Sequence, residues 1–338
     1  MAGKTDQGVS VYCANSMQPQ IEVFKKAALK ITRRKNIEDI HDLRVASRRI
    51  RTCLTIFSEF FPAKKLKGWS KEFKDITKTY GSVRDLDVQI DLVDRIYSSS
   101  EDPKLRSGLR RIKLRLKQRR QKKQAETTEI TQSILSSPSL IEMSSWCEAA
   151  INYDEPLAEK PLDLIQLGYK NIQSRLDEFL FFEVFIFDPL KIEELHQMRI
   201  AAKRLRYSLE IFSTLYEGKT DFALDIARQT QQYIGEIHDA DVWINFLPKF
   251  LNSEQQRIAQ FYGSRSPFSR IKPGVDFLIS DRKSERDRLY KQFLEDWQKW
   301  KLKETWLNLR KIIFLTSVEK ETPSLDVSSE SPTANQPN

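Results

Sequence analysis

One stretch of this chain is written twice, and that duplication constrains the fold more than any other feature. His41-Asp42-Leu43-Arg44-Val45-Ala46-Ser47-Arg48-Arg49-Ile50-Arg51 returns as His196-Gln197-Met198-Arg199-Ile200-Ala201-Ala202-Lys203-Arg204-Leu205-Arg206. The histidine, three arginines and an alanine recur unchanged, which marks an internal repeat. Placed on a helix at about 100° per residue, the repeat divides into two faces. His41, Arg44, Arg48 and Arg51 share one face, while Leu43, Ile50, Leu54, Phe57 and Phe61 gather on the other. In the second copy His196, Arg199, Lys203 and Arg206 face away from Met198, Leu205, Leu209, Phe212 and Tyr216. Like charges at helical neighbour spacing cost about 0.2–0.5 kcal/mol per pair. A front that repels itself in both copies is expected to hold an anion.

A second signature follows each copy in the same order. Gly81-Ser82-Val83-Arg84-Asp85-Leu86-Asp87-Val88 lines up with Gly235-Glu236-Ile237-His238-Asp239-Ala240-Asp241-Val242. Two tandem four-helix bundles, related by duplication about a pseudo-two-fold axis, are therefore expected, with both cationic fronts on one shared groove. Only 10 glycines in 338 residues, with abundant Leu, Lys, Arg, Glu and Gln, support an all-α chain. The one strand-like patch is Phe181–Phe187, closed by Asp188-Pro189, a pair suited to cap and open the helix carrying His196.

In order, residues 1–16 read as a disordered N-terminus, 17–135 as the first bundle, 136–160 as a linker with a short helix near Leu140–Ile151, 161–316 as the second bundle and 317–338 as a disordered Ser/Pro/Glu-rich tail. The first helix is placed from about Pro19, and Gly81 is expected to kink or break the third. The fourth, near Lys104–Leu135, has no acidic residue before Lys123. Its Arg110, Lys113, Lys117 and Arg120 are expected to form a cationic surface, as are Arg282, Lys283 and Arg286 in the second half.

A formal charge of +9 favours acidic partners: nucleic acid, a membrane surface or a polyphosphate-like ligand. No apolar run is long enough to span a membrane, and no secretory signal is read. The three scattered cysteines fit a reduced, cytoplasmic chain. Histidines spaced with arginines repel a divalent cation, so neither a metal nor another cofactor is expected. Guanidinium groups suit phosphate, with charge-assisted hydrogen bonds of about 1.5–3 kcal/mol each. The carboxylates Asp85, Asp87, Asp239 and Asp241 are expected to cap the break after each glycine, or to hold arginines of the basic helices. A metal-dependent phosphohydrolase built on them is the weaker reading. No P-loop, nucleophile elbow or His/Cys pair is present.

His-x-x-Arg-Val-x-x-Arg-Arg-x-Arg followed by Arg-Asp-x-Asp-Val, both duplicated, resembles the CHAD domain, the conserved-histidine α-helical domain, over roughly residues 17–316. The resemblance implies two four-helix bundles around a basic groove that binds inorganic polyphosphate. Carried over position by position, it assigns ligand contacts to His41, Arg44, Arg48, Arg49, Arg51, His196, Arg199, Lys203, Arg204 and Arg206. Arg84 and His238 join the secondary basic contacts. Lys203 departs from the family's arginine, and His238 replaces the arginine of Arg-Asp. The Glu-x-Glu-x-Lys strand motif of the CYTH triphosphatase partner is absent, so the chain is expected to be a stand-alone, non-catalytic polyphosphate binder. Cytoplasmic placement, on polyphosphate granules or in regulation of polyphosphate metabolism, goes with that expectation. A basic helical nucleic-acid binder is the alternative, disfavoured because the repeated front carries no aromatic residue. Neither membrane nor specific nucleic-acid contact is expected, and a monomer is compatible with the sequence.

Overall fold

The computed structural model describes residues 7–33, 37–152, 162–263 and 266–318. Among them the fold is all-α, with ten α-helices, four short 3-10 segments and no strand. The first half comprises α1 (Gln7–Arg33), α2 (Ile37–Ile56), α3 (Ala63–Ser99), α4 (Pro103–Leu135) and α5 (Pro138–Ile151). The second comprises α6 (Leu162–Leu180), α7 (Ile192–Phe212), α8 (Asp221–Tyr262), α9 (Lys272–Leu302) and α10 (Thr305–Val318). Their pairings correspond: α1 on α2, α2 on α3 and α3 on α4 in one half, then α6 on α7, α7 on α8 and α8 on α9 in the other. A fifth helix completes each half, α5 against α1 and α10 against α6. The segment expected as a linker therefore contains a packed helix, with Leu140, Met143 and Cys147 buried. Residues 1–6, 153–161 and 319–338, which carry parts of the expected terminus, linker and tail, lie outside the described residues.

Several expected boundaries are corrected. Helix α1 starts at Gln7, because Val9, Cys13, Met17, Ile21, Phe24, Ala28 and Ile31 form one buried stripe at helical spacing. Gln7, Gly8 and Ser10 conceal that stripe in the sequence. Pro19 lies inside the helix on its exposed side, where solvent can reach the carbonyl that proline leaves without a donor. Phe181–Phe185 is a 3-10 turn rather than a strand, continuing directly from α6. Asp188 accepts a hydrogen bond from the Leu190 amide (2.9 Å) one turn before α7, whose N-cap position is Lys191. Helix α3 runs through Gly81 without a break, and α8 through Gly235.

The apolar backs of α2 and α7 meet in a core that runs through both halves. At its centre Phe57, immediately after α2, and Phe212 of α7 lie with ring centroids 6.0 Å apart. Tyr12 of α1 packs on both, at 6.4 Å and 6.3 Å, and donates its hydroxyl to the Ile211 carbonyl (2.6 Å). A second, smaller core joins the far ends of α3 and α8 to the near ends of α4 and α9, through Val93, Leu109, Ile112, Trp243, Leu247 and Val275.

Two glycines set how closely α4 approaches α9. A Cβ on Gly108 would stand 2.3 Å from the Ile271 carbonyl, and one on Gly274 would stand 2.1 Å from the Leu105 carbonyl. Both obstacles are backbone, so a methyl group at either position must push the helices apart. Gly108→Ala is expected to destabilise the chain by about 3 kcal/mol, the upper end of overpacking costs. Equilibrium urea unfolding measures it, and an unchanged midpoint would contradict the close crossing.

Candidate functional site

The packing of α2 against α7 brings their cationic faces together, and glycines on the neighbouring helices make room for the arginines. The Arg44 side chain lies over Gly81 of α3, with Nη2 3.9 Å from where a Cβ would be. Arg199 lies over Gly235 of α8, with Nε 3.3 Å from the corresponding point. Each repeated turn of the second signature thus receives the first arginine of the repeat. A Cβ at Gly235 would press on the Arg199 guanidinium, while one at Gly81 would just touch that of Arg44, and neither glycine breaks its helix.

Behind these two, Arg48 and Arg206 face the same ring. The Arg48 guanidinium is 5.3 Å from the Tyr207 centroid and that of Arg206 is 4.7 Å from it. Tyr207 is buried, and neither its hydroxyl nor Arg48 Nε has a hydrogen-bond partner among the described residues. Sequence reasoning missed this aromatic contact, because Tyr207 follows Arg206 immediately and falls at the edge of the apolar face. Burial lowers the pKa of Arg44, Arg48 and Arg51. Lys203 is pushed down to about 8, first by burial and then by the charges of Arg48, Arg199, Arg51 and Arg44. Cations from both halves therefore converge on one lysine, whose ammonium, unlike a guanidinium, can shed its proton.

The acids of the second signature divide by direction, as residues two apart on a helix must. Asp85 approaches Arg44 (4.0 Å), and burial raises its carboxyl pKa against the pull of Arg44, Arg199 and Arg84. Burial also raises Asp239, opposed by Arg199 and reinforced by the charge of Asp85. Asp87 and Asp241 are buried instead, turned toward α4 and α9. Arg120 Nε donates to Asp87 (2.7 Å), and Arg286 Nε donates to Asp241 (2.5 Å). Of the two structural roles expected for these aspartates, holding arginines of the basic helices is realised, and capping a break is not.

The remaining candidates scatter. Arg49 points to Glu210 (3.7 Å), which also meets Arg206 (3.3 Å) and Arg228 (3.5 Å). Arg204 pairs with Glu178 on α6. Both leave the shared face, so the ten carried-over positions do not form one set. Part of α4 is likewise engaged internally, while Arg110, Lys117, Arg119 and Lys122 stay exposed. Arg115 makes a two-pronged contact with Glu254 (2.7 Å and 3.2 Å), Arg111 lies 3.7 Å from the same carboxylate, and Lys113 pairs with Asp94. Arg282 pairs with Asp281 (2.5 Å), while Arg110, Lys117 and Lys283 are exposed.

His41 is exposed, whereas His196 is partly buried against His238, with ring centroids 4.4 Å apart. Nδ1 of His196 is buried without a hydrogen-bond partner among the described residues. His238 is pushed down to about 4, by burial first and then by His196 and Arg199, against the opposing charge of Glu193. It is therefore neutral at pH 7. An unfolded histidine takes its proton near about pH 6.5, so the folded state binds fewer protons between that value and 4. Stability is expected to be complete above pH 6.5 and to be lost as pH falls toward 4. Denaturant unfolding at pH 7 and pH 5 should show the loss, and His238→Gln should remove His238's share of it; an unaltered slope would contradict the assignment.

A sequence family described as the CHAD domain matches residues 16–248, well over half of the chain. No curated protein matches the sequence. Among solved structures, the crystal structure of the CHAD domain from the plant Ricinus communis is similar, with a TM-score of 0.56 and 19% identity. That likeness covers 83% of this chain and 91% of the plant domain. PptA from Streptomyces chartreusis is also similar, with a TM-score of 0.53 and 16% identity, over 86% of this chain and 99% of PptA.

Proposed function

The chain belongs to the CHAD domain family, and on that premise we propose that its α2–α7 groove binds inorganic polyphosphate without cleaving it. The observation that carries this reading is the cluster of Arg44, Arg48, Arg51, Arg199, Lys203 and Arg206, drawn from both copies of the repeat, within which burial depresses the pKa of Arg44, Arg48, Arg51 and Lys203. Such a cluster is costly when empty, and a chain of phosphates relieves it at several points. Each guanidinium offers a forked donor, and successive repeat positions rise about 1.5 Å per residue along the helix. Asp85 lies 4.0 Å from Arg44, Asp239 sits within the field of Arg199, and Asp87 and Asp241 are committed to Arg120 and Arg286. We assign none of the four to phosphate hydrolysis. The same binding would hold the protein wherever polyphosphate accumulates in the cytoplasm, including granules.

Nucleic acid in this groove fits less well. Base recognition needs an open ring or amide on the cationic face. The aromatic residue there, Tyr207, is buried and faced by Arg48 and Arg206.

Charge reversal at Arg44 with Arg199 removes two charge-assisted contacts of about 1.5–3 kcal/mol each. The double variant Arg44→Glu/Arg199→Glu is expected to lose at least about a hundred-fold in affinity for long-chain polyphosphate at about 0.15 M salt. Circular dichroism should show that it remains helical. Undiminished affinity in the folded variant would overturn the groove assignment. The pH dependence is a separate check. A polyanion favours protonated Lys203, whose pKa is about 8, so affinity should fall as pH rises from 7 to 9. Lys203→Arg should flatten that decline, as measured by calorimetric titration.

A further inference from the structure

The cations that α4 does not spend on ion pairs border a second surface, remote in composition from the repeated face. A cavity of about 800 Å³ lies between α4 and α8, with Arg119 and Lys122 on one wall and Phe246 and Lys249 on the other. A neighbouring cavity of about 490 Å³ shares Arg115 and Arg257 with it and extends to Phe261 and Tyr262. No Asp or Glu lines either one. The nearest acid in the ion-pair network, Glu254, is fully buried. Burial alone would raise its pKa, but hydrogen bonds from Arg115 and Arg257 hold it below the usual carboxylate range. It fixes those two arginines between the cavities and is not available to repel a ligand.

The aromatic residues are spaced along this trough. Phe246, Phe250, Arg257 and Phe261 fall on one face of α8 at near-helical spacing, with Phe250 buried at its base and Arg257 between the rings at the two ends. From Phe246 to Phe261 the helix rises about 22 Å at 1.5 Å per residue. At one end the Arg119 guanidinium lies 5.0 Å from the Phe246 centroid, presenting a flat cation backed by a ring. At the other end Phe261 and Tyr262 are 81% and 59% exposed and pack edge to face, 4.9 Å apart. Gln118, Gln121 and Ser253 add neutral hydrogen-bonding groups between the two ends.

A purely anionic polymer has no use for exposed rings. We propose that this trough is a binding site for single-stranded nucleic acid, its phosphates drawn by Arg119, Lys122, Lys249 and Arg257 and its bases stacked on the Arg119–Phe246 pair and on Phe261 and Tyr262. Stacking on such platforms tolerates any base. The site is separate from the α2–α7 groove, and it stands whether or not that groove takes polyphosphate.

The test measures binding of a labelled single-stranded oligonucleotide of about 15 residues, a length typical of stacking-platform sites, at about 0.15 M salt. Long-chain polyphosphate is titrated in parallel, and every variant is checked for retained helicity. Phe261→Ala with Tyr262→Ala alters only exposed rings and should weaken the oligonucleotide by about ten-fold or more, the worth of a stacked base. Polyphosphate affinity should stay within about three-fold of the unaltered chain. Arg119→Glu with Lys122→Glu should likewise weaken the oligonucleotide, and Arg44→Glu with Arg199→Glu should spare it. The inference is overturned if the unaltered chain does not bind the oligonucleotide, if removing the rings has no effect, or if the groove variant abolishes oligonucleotide binding. Loss of polyphosphate binding alone in the groove variant leaves the two sites distinct, so failure of one reading does not pass to the other.

Discussion

Everything at the paired arginine face depends on the contact behind it, where Phe57, Phe212 and Tyr12 join the two halves through one apolar core. Burying a large apolar side chain contributes about 1.5–3 kcal/mol. Repulsion between neighbouring cations costs a fraction of that per pair. The core therefore wins, and the helices stay together with their charged fronts facing each other. Were the halves joined only by a tether, the same charges would drive them apart. Tyr12 makes the point most directly: a residue from the first helix is held between an aromatic ring of each half and bonded to the backbone of the second.

The site is correspondingly a place where stability is given up locally. Arg48 and Tyr207 each leave a buried polar atom without a partner among the described residues, as does His196. Lys203 and His238 are held below their ordinary pKa values by burial and by surrounding charge. Elsewhere the chain pairs its charges closely, as in Arg120 with Asp87, Arg286 with Asp241, and the arginines around Glu254. The contrast separates cations that build the scaffold from cations that face an anion. Sequence position alone does not draw that line, since Arg204 and Lys203 are adjacent and fall on opposite sides of it.

Most of the fold and much of the site was legible because duplication carries information that a single copy does not. The two faces of α2 and α7, the all-helical class and the correspondence of Gly81 with Gly235 follow from patterns of period 3.6 written twice. What failed to show had no such pattern. Helix α1 begins a full three turns before Pro19, but its buried stripe of Val9, Cys13 and Met17 is hidden in the sequence by the polar residues written between them. The glycines look like breaks, and only the arginines lying over them reveal that they are spaces. The 3-10 turn at Phe181–Phe185 reads like a strand because it is rich in aromatic and β-branched residues, yet its three rings pack on one another. Glu254 gave no signal at all, being one glutamate among many until three arginines are seen to surround it.

The two copies are not equal in length. Helix α3 ends at Ser99, eighteen residues past Gly81, while α8 continues to Tyr262, well beyond the corresponding point after Gly235. The extra turns carry Glu254, Arg257, Phe261 and Tyr262, none of which has a partner in the first half's shorter helix. A duplicated molecule that had stayed symmetric would present the same aspect to a polymer whichever way it lay. Here the surplus of one helix gives the molecule a head and a tail, and with them a sense of direction that its matched arginines do not possess.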